Sequence, residues 1–187
     1  GLVKKLDVSE ALKVEGVIKV LTPDDLPDLK FPTAGHPYTL DPKLADIADR
    51  NILTKRVRLY GDEIAAVIAE NELAAEKALE KIKVEYEEFP FYLSPEESLA
   101  EGAVEIHDGS KNLIASTKAV VGDLKKGLEE ADHIIEGEYK TQIVQHCHME
   151  NQIAYAYKGS DQRWVCVSST QIPHICRRIL GEAFGMP

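Results

Sequence analysis

Cysteine is scarce in this 187-residue sequence, which contains only Cys147, Cys166 and Cys176. The three cysteines are odd in number and widely spaced, and they form no C-x-x-C pair of the kind that zinc, iron–sulfur clusters or redox dithiols use. We therefore expect three reduced thiols that are mostly buried.

The sequence also lacks a long apolar run and an excess of basic residues. Its longest apolar runs, such as residues 64–69, are far shorter than the roughly 20 residues that a membrane-spanning helix needs, and no basic and apolar signal opens the chain. A net charge of -10 would repel phosphate backbones and anionic lipids. We therefore expect a cytoplasmic protein with no nucleic-acid and no membrane partner.

What is present is an ordinary globular composition with clear local patterns. With 44% hydrophobic and 29% charged residues, the chain can bury a core. The run at residues 64–69 indicates a buried strand. Apolar side chains recur at helical spacing over residues 72–83, and residues 84–90 then alternate as in a half-buried strand. These patterns predict a strand–helix–strand unit.

Shorter elements precede this unit. Asp7 predicts the cap of a short helix that Gly16 closes, and Thr22 predicts the cap of a second helical turn. Residues 17–21 between them indicate a strand. Residues 27–50 weaken into a predicted loop with the breakers Pro32, Gly35, Pro37 and Pro42.

A second organised region follows a predicted loop over residues 94–112. We place a domain boundary near Asp108, where turn-forming residues cluster. Asp123 predicts the cap of a short helix, and Pro173 predicts the start of a longer one with a single apolar face. Alternating patterns between the two helices predict strands over residues 133–142, 152–158 and 163–169.

Several phrases of the sequence, taken in order, resemble the large molybdenum-binding subunit of the xanthine dehydrogenase and aldehyde oxidase family. Because the phrases are collinear, together they are far more specific than any one motif. In the first region they are LDVSEAL (6–12), GVIKVLTPDDLP (16–27), RLYGDEIAAVIAE (58–70) and VEYEEFP (84–90). In the second they are GD (122–123), AD (131–132), HCHMEN (146–151), STQ (169–171) and GMP (185–187).

This resemblance implies an α+β fold in two parts. Residues 1–108 would form the α/β hammerhead domain without its first strand region, and residues 109–187 the N-terminal part of the molybdenum-cofactor-binding domain. The family starts earlier than this chain and continues past the Gly-Met-Pro phrase to a Gly-Gly-x-Phe-Gly segment and, much later, a glutamate base. We therefore expect a fragment cut at both ends, inactive alone, with no catalytic residue within it.

The resemblance also implies the chemistry of the intact protein. Members of the family oxidise purines, aldehydes or other heteroaromatic carbons and use water as the oxygen source. The expected cofactor is molybdopterin in its cytosine dinucleotide form, with iron–sulfur clusters and FAD on partner subunits or domains. We expect none of these groups to be bound to the fragment itself.

One residue of this sequence matches a cofactor-binding position of the family. Gln171 corresponds to the glutamine whose side chain approaches an oxo ligand of molybdenum. A neutral amide suits that task because it can donate a hydrogen bond without adding charge. The alternative is that Gln171 caps the following helix or faces solvent.

Three other polar features have simpler interpretations. In a strand, His146 and His148 would share one face and Cys147 the other, and no fourth zinc ligand lies nearby in sequence, so packing or interdomain hydrogen bonds are expected rather than a metal site. Glu150 is expected to anchor a turn or backbone amides. The acidic run at residues 85–88 is expected to be a solvated strand face.

A different class of function stays open at this point. The chain could be a stand-alone, non-catalytic interaction or scaffold module with the hammerhead fold. The reading frame downstream of Pro187 distinguishes the two hypotheses: a frame that continues to Gly-Gly-x-Phe-Gly supports the hydroxylase, and a stop codon supports the module.

Overall fold

The computed structural model describes residues 1–32, 48–113, 116 and 118–186. Their Cα positions separate two compact units, Gly1–Ile114 together with Gly181–Pro187, and Ala115–Leu180. Both units combine short helices with antiparallel strands. The predicted mixture of helix and strand is confirmed.

Two antiparallel strand pairs form the frame of the first unit. Strand β1 (Leu2–Asp7) pairs with β6 (Lys83–Glu87), and β2 (Val17–Leu21) pairs with β5 (Ala66–Ala69). The prediction of strands over residues 17–21, 64–69 and 84–90 is confirmed in position. The expected burial of the 64–69 run was wrong, because β5 pairs with only one strand among the described residues and Ile68 is 41% exposed.

Helix α1 (Glu72–Leu79) packs small residues, not large ones, against the first unit's core. The Asn71 side chain caps it by accepting from the backbone amide of Ala74 at 3.0 Å. Ala74 and Ala78 are buried, whereas the helix's two leucines are more than half exposed. The core cluster consists of Ala11, Val20 and Ala78.

Gly16 allows the chain to turn tightly beside α1. Its φ of +85° lies in the left-handed region, and a Cβ placed there would lie 3.2 Å from the Cβ of Ala74. Its carbonyl oxygen accepts from the Glu70 amide at 2.8 Å. A glycine here therefore lets β2 start directly against the β5–α1 connection.

The two predicted helical turns near the N-terminus are single 3₁₀ turns, Ala11–Lys13 and Pro23–Asp25. Thr22 is the N-cap residue of the second, as predicted, and the Asp25 carboxylate accepts from its amide and from its hydroxyl, each at 2.8 Å. The Asp7 cap was wrong in detail. Its carboxylate accepts from the Ser9 amide at 3.0 Å and so stabilises the turn that precedes the helix.

The loops predicted for residues 27–50 and 94–112 both contain secondary structure. Strand β3 (Phe31–Pro32) pairs with β4 (Ala48–Arg50), and Ser94 caps the short helix α2 (Pro95–Ser98). The expected breakers Gly35, Pro37 and Pro42 lie outside the described residues. Helix α2 was missed because a single capped turn has no apolar repeat to reveal it.

The second unit is built around one β-hairpin. Helix α3 (Leu124–Glu129) has the predicted cap, since the Asp123 carboxylate accepts from the Lys126 amide at 3.1 Å. The strands predicted at residues 152–158 and 163–169 are present as β7 (Ala154–Lys158) and β8 (Trp164–Ser168), and the structure pairs them antiparallel. Residues 133–142 are all described, and none belongs to a strand. The strand predicted from their alternating pattern was wrong, because no strand of the described residues pairs with them.

Helix α4 (Pro173–Phe184) starts at the predicted proline. Of the residues predicted to share its apolar face, Ile175, Cys176, Ile179 and Leu180 are half-buried, as are Gly181 and Ala183. Ile172, predicted on the same face, precedes the helix and is 42% exposed. The helix ends at Phe184, and Gly185 follows it with a φ of +61°. The Met186 amide donates to the Gly181 carbonyl at 2.8 Å. No helix in the described residues is long and apolar enough to span a membrane.

Candidate functional site

The candidate site is the short connection from β8 to α4, which contains Gln171. Its first residue, Ser169, is fixed to Ile153 by three hydrogen bonds. The Ser169 amide donates to the Ile153 carbonyl at 2.9 Å, and the Ser169 hydroxyl both donates to that carbonyl and accepts from the Ile153 amide, each at 3.1 Å. The hairpin is thereby extended by one residue pair.

Thr170 anchors the other side of the connection. Its hydroxyl oxygen accepts from the Ile172 amide at 3.1 Å and from the Cys176 thiol at 3.4 Å. Ile172 is in turn held to the first turn of α4, since its carbonyl accepts from the amides of Ile175 and Cys176. The hydroxyl of Thr170 therefore joins the residue that precedes α4 to a side chain of the helix's first turn.

Gln171 is exposed between these two anchors. Its carboxamide makes no hydrogen bond to any described residue, so it does not cap α4, whereas the other alternative, that it faces solvent, agrees with its exposure. A free carboxamide offers two N–H donors and one acceptor. The site can therefore donate a hydrogen bond to an external oxygen atom while staying uncharged.

The His146-Cys147-His148 segment does not have the expected strand geometry. Cys147 has a φ of +51°, which is left-handed, so the side chains do not alternate across a sheet. His148 lies 3.3 Å from the Gln152 side chain. Within the described part of the chain, no group of three or more His, Cys, Asp or Glu side chains could hold a metal ion.

The other predicted roles in this region need correction. Cys147 and Cys166 are exposed and Cys176 is half-buried, so the expectation of mostly buried thiols was wrong. All three are free, as expected. Glu150 is exposed and bonds to no backbone amide of the described residues, so its anchoring role was also wrong.

The acidic strand face is exposed as predicted and is neutralised in part by the neighbouring strand. Glu87 lies 2.5 Å from Lys4, and Glu85 lies 3.5 Å from Lys5. Because β1 and β6 are paired, the acids of one strand face the lysines of the other. Such exposed pairs are worth little individually.

A polar cluster that sequence reasoning missed lies in the first unit. The Asp49 carboxylate is hydrogen-bonded to the Nδ1 of His107 and lies 3.4 Å from the Arg58 guanidinium. The side chains of Asp49 and Arg58 are only 19% and 16% exposed. No local sequence pattern predicts the contact between Asp49 and His107, because the two residues are 58 positions apart.

The charge state of this cluster follows from its partners. Burial raises the pKa of Asp49, but the hydrogen bond from His107 and the positive charge of Arg58 outweigh burial, so the pKa lies below its ordinary value. Arg58 also donates to the carbonyls of Ile106 and Asp49. The carboxylate is therefore held in its charged form.

Side chains outside this cluster also fix the segment that follows α2. Arg56 donates to the Glu105 carbonyl at 2.8 Å and lies 3.3 Å from Asp108. Asn112 accepts from the Ile106 amide at 2.7 Å and donates to the carbonyls of Ser98 and Val104. Residues 105–112 are thus bound to the body of the first unit by side chains rather than by strand pairing.

Comparison with known families accounts for both parts of the chain. Residues 1–90 match the family described as "Aldehyde oxidase and xanthine dehydrogenase, a/b hammerhead domain", and residues 106–187 match the "Molybdopterin cofactor-binding domain". The chain is therefore an α/β hammerhead domain followed by the start of a molybdopterin-binding domain, as predicted. The predicted boundary at residue 108 stays a prediction.

Individual proteins that resemble this chain in sequence belong to the same class. The chain is 42% identical, over all of its length, to the xanthine dehydrogenase molybdenum-binding subunit of Escherichia coli O157:H7, and 34% identical over 98% of its length to the aldehyde oxidoreductase of Megalodesulfovibrio gigas. It spans 25% and 20% of the length of these two proteins.

A solved structure shares the fold. The aldehyde oxidoreductase from Desulfovibrio desulfuricans superimposes with a TM-score of 0.85 at 30% identity, and the match covers 100% of this chain and 21% of that one. The sequence matches and the structural match thus indicate the same family. The chain belongs to the aldehyde oxidase and xanthine dehydrogenase family.

Proposed function

We propose that this chain is part of a molybdenum hydroxylase that oxidises purines, aldehydes or other heteroaromatic carbons with oxygen taken from water. The observation that carries the proposal is the pair of collinear matches, hammerhead at residues 1–90 and molybdopterin-binding at residues 106–187. The names of the relatives support it, since one is a xanthine dehydrogenase subunit and another an aldehyde oxidoreductase.

Gln171 is the residue of this chain that we propose to contact the molybdenum cofactor. Its carboxamide is exposed and has no partner in the described residues, so its donors are available to a ligand. A neutral amide donor fits an oxo group, because it neither adds charge nor competes as a metal ligand. The cofactor, when bound, supplies the two-electron redox chemistry, and Gln171 orients it.

The finer assignments are part of the same proposal. The cofactor is molybdopterin in its cytosine dinucleotide form, and the electrons leave through iron–sulfur clusters and FAD on partner subunits or domains. The hammerhead domain covers residues 1–108 and the molybdopterin-binding part starts at residue 109. The protein resides in the cytoplasm, and Glu150 and the His146-Cys147-His148 segment have no part in catalysis.

The proposal is tested on the intact enzyme that contains this chain. We expect stoichiometric molybdenum by elemental analysis and turnover of xanthine, an aromatic aldehyde or an N-heteroaromatic compound with a dye as electron acceptor. In ¹⁸O-labelled water, the product should gain one labelled oxygen atom. A purified protein without molybdenum, or a product that takes its oxygen from O₂, would refute the proposed function.

A further inference from the structure

We propose that Thr170 is a positioning residue for Gln171, and that the Thr170 hydroxyl fixes the direction in which the Gln171 carboxamide is presented. This inference rests on the proposed function of Gln171. It goes beyond that function because it assigns to Thr170 a role that acts through Gln171.

The first argument is the ring that the Thr170 hydroxyl closes around Gln171. Its oxygen accepts from the Ile172 amide at 3.1 Å, so the backbone of Gln171 lies inside a closed hydrogen-bonded turn. The torsion angles of Gln171 are thereby restricted. Thr170 is also β-branched, which limits its own χ1 rotamers and makes the closure more rigid.

The second argument is that both ends of this turn are anchored. On the strand side, Ser169 makes three hydrogen bonds to Ile153. On the helix side, the Ile172 carbonyl accepts from the amides of Ile175 and Cys176 at 3.1 and 3.2 Å. Gln171 therefore lies between two hydrogen-bonded residues, Ser169 and Ile172, while its own side chain makes no hydrogen bond to a described residue.

The third argument concerns the Cys176 thiol, which donates to the same Thr170 oxygen at 3.4 Å. With the Ile172 amide, it occupies the two acceptor sites of that hydroxyl. The orientation of the hydroxyl is therefore set from two directions, by the backbone of the turn and by the first turn of α4. A valine at position 170 would keep the shape of threonine and lose both bonds.

The test is a double-mutant cycle in the cofactor-loaded enzyme, with kcat and the Mo(V) EPR signal as readouts. Thr170→Val should lower kcat about tenfold or more, because a small misplacement of a positioning group is costly. It should change the EPR signal as Gln171→Ala does. Thr170→Ser keeps the hydroxyl and should stay within about twofold of the parent.

The cycle separates positioning from general structural damage. If Thr170 acts through Gln171, Thr170→Val should have almost no further effect on kcat in the Gln171→Ala background. An equal fold-loss in both backgrounds, or an unchanged EPR signal in Thr170→Val, would overturn the proposal. A Gln171→Ala enzyme with parental kcat and EPR signal would instead refute the proposed role of Gln171.

A second variant covers the case in which Thr170→Val fails to load molybdenum. Ser169→Ala removes the two hydroxyl bonds to Ile153 and keeps the amide bond, so it weakens the anchor of the same turn. Ser168→Ala is its control, because the Ser168 hydroxyl bonds to no described residue. Both are placed in the same cycle. We expect Ser169→Ala to lower kcat only when Gln171 is present, and a loss equal in both backgrounds, or no loss at all, would overturn the proposal.

Discussion

The Asp49 carboxylate and the His107 imidazole are hydrogen-bonded across 58 residues of chain. Asp49 belongs to strand β4, and His107 belongs to the segment that follows α2. This bond and the nearby Arg58 guanidinium fix that segment to the first unit. The segment that starts the second family match is therefore held by charged groups.

This relationship predicts a specific dependence of stability on pH. A carboxyl whose pKa is lower in the folded than in the unfolded chain stabilises the fold above its unfolded pKa and loses this as the pH falls through the folded pKa. Asp49→Asn should therefore lower the free energy of unfolding by about 2 kcal/mol at pH 7. The difference from the parent should shrink below the ordinary pKa of 3.8.

Urea unfolding followed by circular dichroism at several pH values measures this difference. Asp24→Asn is the matched control, because Asp24 also pairs with a basic residue, Lys55, but its side chain is 76% exposed. The control should change stability little at any pH. A loss in Asp49→Asn that is the same at pH 7 and in acid would show that its charge has no part in the effect.

Asn112 should hold the segment after α2 locally. Asn112→Ala removes the acceptor for the Ile106 amide and the donors to Ser98 and Val104. We expect hydrogen exchange at the Ile106 amide to become at least about tenfold faster, since about 1–3 kcal/mol of local stability is lost. Asn51→Ala, which removes side-chain bonds elsewhere in this unit, should leave that amide unchanged. Equal acceleration in both variants would contradict a local role.

The alanine face of α1 should be sensitive to added volume. Ala78 is 0% exposed in the core cluster, so Ala78→Leu should destabilise the first unit by about 1–3 kcal/mol through overpacking. Leu79 is 54% exposed, and Leu79→Ala should cost much less. Thermal or urea unfolding of both variants measures which one loses more stability. A larger loss for Leu79→Ala would contradict the claim that the alanine face of α1 packs against the core.

These two residues also show what sequence patterns can predict. The helical spacing of residues 72–83 and the strand at residues 17–21 were predicted because each depends on neighbours in sequence. The buried face of α1 was not predicted, because helical periodicity alone does not reveal that alanines rather than leucines pack against β2. The same holds for the connection at Gln171, where the phrase STQ predicted the place and only the structure gave the Thr170 bonds.

The contacts that depend on distant segments could not be predicted at all. Asp49 and His107 sit in loop-like sequence without periodicity, and their pairing needs the whole first unit to be folded. The wrong strand at residues 133–142 has a related cause. An alternating pattern indicates a strand only where a partner strand supplies the hydrogen bonds.

The exposed hairpin of the second unit should make the 187-residue chain self-associate. On one face of β7 and β8, Tyr155, Tyr157 and Val167 are all at least 40% exposed, and the two tyrosine rings stack with centroids 6.3 Å apart. Contiguous apolar surface of this kind favours association. Tyr155→Lys should shift the chain toward monomer in size-exclusion chromatography. A parent chain that elutes as a clean monomer would contradict the prediction.

The Mo(V) EPR spectrum of the intact enzyme with Gln171→Ala tests the central claim most directly. If the Gln171 carboxamide donates a hydrogen bond at the cofactor, the variant should keep its molybdenum, show an altered Mo(V) signal and lose about tenfold or more in kcat. A variant with the parental signal and parental kcat would show that Gln171 does not contact the cofactor.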